Sequence, residues 1–296
     1  MLKSKSSIFP GEALTTAATA ACAVLMMGLG ARSAVAATPQ VAQVRLYVLD
    51  CGHATFKDMG MFSDTGEYDG TTGKIADPCF VIVHPKGVLL WDTGLGDGIA
   101  SHPEGMDPAP GIHMTVPITL AGQLKSLDMT PADVTFVAFS HFHFDHTGNA
   151  NLFTQSTWIV NQNELNWGLS APKDSGVATE SWSAYKTVKT VMITGDYDVF
   201  GDGKVRILKA PGHTPGHQVL EVQLSKTGAV VLSGDLYHLK ANRQFKRVPV
   251  VNAERADTLA SFERVETIVK NKHARLIVQH DPQEFDALPK LPAYLD

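Results

Sequence analysis

Nowhere does this sequence carry a run of lysine or arginine, and its 25 basic residues are outnumbered by 30 acidic ones, for a net charge of −5. An RNA or DNA partner, which would call for a basic face, is therefore disfavoured. Beyond residue 36 there is no apolar stretch long enough to span a bilayer, so no stable membrane insertion is expected of that part. Low-complexity tracts and interior linkers are absent as well. The residues after the N-terminal segment, 37–296, are thus read as one domain, within the size a single core can support. Cysteine is scarce: Cys22 lies in the N-terminal segment, which leaves Cys51 and Cys79. In an oxidising compartment these two could pair. Each also sits in apolar, strand-like surroundings, where a buried free thiol is equally ordinary. Both states stay open, as does assembly into a homodimer.

The first 36 residues have the layout of a secretory signal peptide. Lys3 and Lys5 precede an Ala-rich apolar run from Ala13 to Leu29, and Ala34-Val35-Ala36 offers a small-residue cleavage site. Thr15, Thr16 and Thr19 leave too short a wholly apolar core for a membrane anchor. Apolar residues continue past Cys22, which argues against lipid attachment there. The mature chain is expected to start near Ala37 and to be exported, most simply to a bacterial periplasm.

The densest chemistry lies at Ser140-His141-Phe142-His143-Phe144-Asp145-His146. The preceding run, Val134 to Phe139, is β-branched and aromatic and reads as a buried strand. Side chains alternate with period two, so His141 and His143 would point the same way where that strand ends. Asp145 and His146 follow as the chain turns at Thr147-Gly148-Asn149. One loop can then offer two imidazoles to one ion and a carboxylate plus an imidazole to a second. Imidazole and carboxylate together suit zinc or a similar divalent metal.

Other ligand-type residues repeat the placement. Gln43 to Cys51 reads as a first strand, Gly52 to Asp77 as a long loop, and Pro78–His84 with Val88–Trp91 as a hairpin. Asp92 at the end of that hairpin is either a partner for a metal-bound histidine or a turn-forming aspartate. Residues 100–117 are Pro-rich and read as loop, Ile118 to Leu127 as a short helix, and 170–190 stay unassigned. Strands over Val205–Leu208, Ala229–Leu232 and Arg275–Val278 run into His213, Asp235 and His280. A helix is expected from Asn252, as its cap, to about Lys270, with Leu259, Phe262, Val265 and Val269 on one face. His217, Asp92 and His238 are placed outside the ligand set.

His141-Phe142-His143-Phe144-Asp145-His146 resembles the HxHxDH signature of the metallo-β-lactamase superfamily, and His213, Asp235 and His280 follow in the order of its remaining ligands. The resemblance implies an α/β fold, an αβ/βα sandwich of two mixed β-sheets flanked by helices. It implies a pair of divalent ions, zinc by default. His141, His143 and His213 would bind the first, Asp145, His146 and His280 the second, and Asp235 both.

Within that superfamily the chain looks most like the quorum-quenching N-acyl homoserine lactonases. Leu46 to Gly52 with the loop after it, the Pro78-Cys79-Phe80 strand, and a tyrosine close behind Asp235 carry this likeness. Those enzymes place the tyrosine three residues after the aspartate. Here Tyr237 stands two residues after it and His238 three. The activity implied is lactone hydrolysis by a water activated between the ions. Tyr237 is expected to donate to the oxyanion, and Asp145 to handle the leaving group's proton. Phe56, Met59, Met61 and Phe62 would form either a wall for an acyl chain or packing for the domain's own core. An exported β-lactamase or a broad esterase on the same site is the alternative. The carboxylate at Asp235 argues against the β-lactamase.

Overall fold

Alternation of apolar residues along the strands builds two mixed sheets face to face. The structure, a computed structural model, describes residues 41–172 and 175–296; the segment read as a signal peptide lies outside the described residues. The first sheet contains β1 (Arg45–Phe56), β2 (Gly73–His84), β3 (Gly87–Trp91), β4 (Met106–Ala109), β5 (Ile112–Thr115), β6 (Phe136–Ala138), β7 (Thr157–Asn161) and β8 (Thr190–Ile193). Their spatial order is β4-β5-β1-β2-β3-β6-β7-β8, antiparallel up to β3 and parallel from there on. The second sheet places β9 (Tyr197–Asp198), β10 (Val205–Lys209), β11 (Gln218–Leu224), β12 (Gly228–Leu232) and β13 (Arg275–Ile277) side by side, with β12 and β13 parallel and the other pairs antiparallel. The helices are α1 (Leu120–Lys125), α2 (Phe144–Thr147), α3 (Gln162–Ser170), α4 (Lys240–Phe245), α5 (Arg255–Lys272) and α6 (Pro282–Ala287).

Leu46, Val48, Phe80 and Ile82 meet Ile207, Leu220, Val222 and Val230 in the core between the sheets. The intervening residues Tyr47, Leu49 and Val81 point to the outer face, where Leu120 and Leu124 of α1 cover them. On the opposite side α5 lays Phe262, Val265 and Val269 over Leu208, Val219 and Val231. This is the expected αβ/βα sandwich. No described helix is long and apolar enough to cross a membrane.

Three local departures from the sequence reading have physical causes. The loop expected over 52–77 shrinks to residues 57–72, because β1 and β2 continue as a hairpin past an irregularity between Asp50 and His53. Gly52, at φ +145°, supplies the backbone that this bulge requires, and Pro78 is tolerated beside it. The Pro-rich stretch over 100–117 contains β4 and β5, which lie at the sheet's margin, where a proline costs no ladder bond. Helix α5 begins at Arg255, not at Asn252, whose Oδ1 instead accepts from Thr258 Oγ1 at 2.9 Å. The open question of the cysteines is answered by a Cys51–Cys79 disulfide between β1 and β2. Gly94 lies directly on it: a Cβ there would come within 2.3 Å of Cys51 Cβ. The disulfide therefore floors the turn that carries Asp92.

Candidate metal centre

Strands β10, β12 and β13 run in the same direction, so the segments leaving their C-terminal ends reach one rim of the second sheet. Those segments bring His213, Asp235 and His280. From the first sheet, the parallel pair β3 and β6 deliver Asp92 and the 140–146 loop to the same rim. The seven residues expected to be ligands are therefore gathered in one place, from four different strand ends.

They form two adjoining sets. His141, His143, His213 and Asp235 are all buried and present donor atoms within 4.8 Å of one another. His141 Nε2 lies 2.9 Å from His143 Nδ1, His213 Nε2 lies 3.1 Å from the same Nδ1, and Asp235 Oδ2 is 3.3 Å from His213 Nε2 and 3.6 Å from His141 Nε2. Donors about 2.0–2.1 Å from a tetrahedral zinc stand roughly 3.3 Å apart, so the spacing fits an ion. The second set is Asp145, His146 and His280, joined by Asp77, again within 4.8 Å. His146 Nε2 and His280 Nε2 are 3.2 Å apart. The other oxygen of Asp235, Oδ1, is 3.1 Å from the first of these and 2.9 Å from the second. Asp235 thus shows one oxygen to each set, and its buried Oδ1 has no hydrogen-bond partner of proper geometry.

The electrostatics point the same way. Burial holds His141 and His143 well below the ordinary histidine range, so both are neutral and free to ligate. For His280 burial also opposes charge, but Asp235 outweighs it and pushes the imidazole up to about 9. His146 is likewise driven well up against its burial by Asp235, Asp92 and Asp145. Asp235 itself is held well below the usual carboxylate range although burial opposes this, because His280 and His146 face it. Negative charge at this spot demands a positive partner, which a divalent ion would supply.

The far nitrogen of most of these rings is pinned, which aims the near one inward. His146 Nδ1 donates to Asp92 Oδ2 at 3.0 Å, and His280 Nδ1 donates to the Ala76 carbonyl at 2.7 Å. Ser140 Oγ lies 3.0 Å from His141 Nδ1. His217 donates from Nδ1 to the Ala210 carbonyl, so its Nε2 accepts the Asp235 N–H at 2.9 Å. Asp92 and His217 are therefore supports and not ligands, and for Asp92 the partner reading prevails over the turn reading.

Two residues of this rim, Glu164 and Asp77, carry no mark in the sequence. Glu164 of α3 is buried and ties the two histidine loops together: its Oε1 accepts from Phe142 N, and its Oε2 from Thr214 Oγ1 and Gly216 N. Asp77, at the end of a stretch whose sequence reads as loop, lies among the second set, with burial pushing its carboxyl well above the usual range. His238, placed outside the ligand set, lines the cavity beside the site and puts Nε2 3.0 Å from Asp235 Oδ2.

Tyr237 must be corrected. Its ring packs at a tilt against Phe262, centroids 4.5 Å apart, and its hydroxyl donates to Glu266 Oε1 at 3.1 Å, both on α5, away from the metal rim. Tyr237 is extended (φ −137°, ψ 124°), and successive extended residues face opposite ways, so His238 takes the inward place. Tyr237→Phe should leave turnover and metal content unchanged within about twofold and cost about 1 kcal/mol of stability for the lost hydrogen bond. Steady-state kinetics beside a thermal melt would check it; a hundredfold fall in kcat would return Tyr237 to the reaction.

A cavity beside the two donor sets is lined by Phe56, Met61, Phe62, Ile75 and Met114, together with Asp145 and His238. Met59 does not line it and packs with Phe56 and Phe62 in the core beneath. The two readings of the apolar loop thus divide: Met59 is core, Phe56 and Phe62 are core residues that also line the cavity, and Met61 lines the cavity only.

A two-sheet sandwich with paired imidazole–carboxylate donor sets on one rim defines a metal-dependent hydrolase. The sequence matches the metallo-beta-lactamase superfamily over residues 76–280, and the chain belongs to that superfamily. It is similar to the N-acyl homoserine lactonase AttM of Azorhizobium caulinodans, with 29% identity over 266 residues that cover 86% of this chain and 100% of the relative. An N-acyl homoserine lactonase from Bacillus thuringiensis is 27% identical over 223 residues, 73% of this chain and 86% of that one. The solved structure of an N-acyl homoserine lactone hydrolase with the product N-hexanoyl-L-homoserine at its catalytic metal centre superposes with a TM-score of 0.74 at 25% identity, covering 86% of this chain and 100% of the other.

Proposed function

We propose that this chain opens the lactone ring of N-acyl homoserine lactones with two zinc ions. His141, His143 and His213 would hold one, Asp145, His146 and His280 the other, and Asp235 both. The observation that carries the reading is the pair of donor sets sharing Asp235 beside an apolar cavity. Relatives named as lactonases, one of them with an acyl-homoserine product at its metal centre, support the substrate class.

Bound there, divalent ions supply an acidified water as nucleophile and a positive field for the carbonyl oxygen. The protein does the rest. Phe56, Met61 and Phe62 receive the acyl chain and keep water from the ring. Asp145, on the cavity wall with Oδ2 3.9 Å from Nε2 of both His146 and His280, carries a proton to the departing ring oxygen. His238 Nε2, 3.0 Å from Asp235 Oδ2, would help to orient that carboxylate.

Hydrolysis of acyl homoserine lactones should exceed that of a penicillin by a wide margin, with about two ions per chain by elemental analysis. A preference for the penicillin would overturn the lactonase assignment. A single ion after metal supplementation would overturn the paired site.

Export is part of the proposal. The basic start, the apolar run and Ala34-Val35-Ala36 motivate it, and the Cys51–Cys79 disulfide suits an oxidising compartment. Mass spectrometry of protein from the native host should find a chain beginning near Ala37; an intact N-terminus at Met1 would refute it.

A further inference from the structure

Asp77 has no place in the chemistry described so far. It sits in β2 opposite the bulge of β1, between the pairs Ala76–His53 and Pro78–Asp50. Bulges commonly re-aim a side chain next to a site. The residue is only 2% exposed. Both of its carboxylate oxygens are enclosed and neither meets a hydrogen-bond donor. No lysine or arginine among the described residues pairs with it. A carboxylate in such a place is costly unless a cation or a set of donors faces it. What faces Asp77 is the set of Asp145, His146 and His280, whose donor atoms lie within 4.8 Å of its own and of one another.

We infer that Asp77 is a further ligand of the second ion. The inference rests on reading this rim as a metal centre, and it changes the character of that centre. The first ion faces three imidazoles and one oxygen of Asp235. The second faces two imidazoles and three carboxylates, those of Asp77, Asp145 and Asp235. Imidazole-rich sites suit zinc, whereas oxygen-rich ones admit harder ions such as manganese. The two positions are therefore unequal, and the second takes up Mn2+ more readily than the first does.

Chelator-stripped full-length protein, titrated separately with Zn2+ and Mn2+, provides the test, with bound metal read by elemental analysis and unfolding by a thermal melt. Wild type should take up two ions of Zn2+. Asp77→Asn should keep the first and bind the second at least about tenfold more weakly, with the larger loss for Mn2+. A second readout needs no activity. Without metal, Asp77→Val should melt no lower than wild type, since it removes a carboxylate that lacks a partner. With metal the order should reverse. If Asp77→Asn binds both ions as wild type does, or if the melting order stays the same with and without metal, Asp77 is not a ligand. If wild type itself takes up one ion only, the paired-metal reading fails, a result distinct from failure of this inference.

Discussion

Asp235→Asn should lose bound metal and nearly all lactone turnover together. The aspartate turns one oxygen to each donor set, Oδ2 at 3.3 Å from His213 Nε2 and Oδ1 at 2.9 Å from His280 Nε2. Asparagine keeps the shape but withdraws the charge. Its amide nitrogen would also face one of the ions with hydrogens instead of a lone pair. Removing one partner of a buried charge pair costs about 3–5 kcal/mol, or roughly a hundred- to several-thousandfold in an equilibrium or rate. Bound metal should fall from two ions to one or fewer, read by elemental analysis beside kcat/KM on an acyl homoserine lactone. Two tightly held ions and turnover within about tenfold of wild type would show that Asp235 does not link the sets.

The second large effect falls on a residue that touches no ion. Glu164 accepts from Phe142 N at 2.8 Å, from Thr214 Oγ1 at 2.7 Å and from Gly216 N at 2.9 Å. Phe142 lies between His141 and His143, and Thr214 follows His213, so one carboxylate spaces the residues proposed to hold the first ion. The fit leaves no slack, since a Cβ on Gly216 would meet Glu164 N at 2.3 Å. Glu164→Ala strands two buried N–H groups at about 1–3 kcal/mol each, so stability should fall by about 2–6 kcal/mol. At roughly 2–4 °C per kcal/mol for a chain of this size, the melting point drops by several to about twenty degrees. Zinc affinity at the first position should fall as well. Glu164→Gln should lie between, because its amide oxygen can still serve one of the N–H donors. A melt of Glu164→Ala within about 1 kcal/mol of wild type would remove this role.

How far these features could be read from the sequence depends on whether their signal is local. His141, His143, Asp145 and His146 announce themselves by spacing behind an apolar strand, and His213 and Asp235 by the glycines of their turns. The strands at 136–138, 205–209 and 228–232 and the buried face of α5 were legible because periodicity is a local property. Glu164 was not. On its own helix it is an ordinary carboxylate, and only the packing of α3 beneath both loops buries it. Asp77 was hidden because Gly52 looked like a loop residue, whereas it is the bulge that lets β1 continue to Phe56. Tyr237 went wrong through a single step of parity: in an extended stretch one position decides whether a side chain faces the ions or the helix.

His141, His143, Asp145 and His146 hang from the first sheet, while His213, Asp235 and His280 hang from the second. Ions held among them would rivet the two halves of the sandwich at one rim, much as a clasp closes a book. Among the described residues the far rim is joined by lighter ties: His84 Nε2 meets Asp202 Oδ2 at 3.0 Å, and Lys86 Nζ donates to the Phe200 carbonyl at 2.7 Å. Endurance then becomes a property shared with the surroundings: free zinc at a hundred times its dissociation constant adds about 2.7 kcal/mol to the folded state. A chelator would then act on this protein as a mild denaturant as well as an inhibitor.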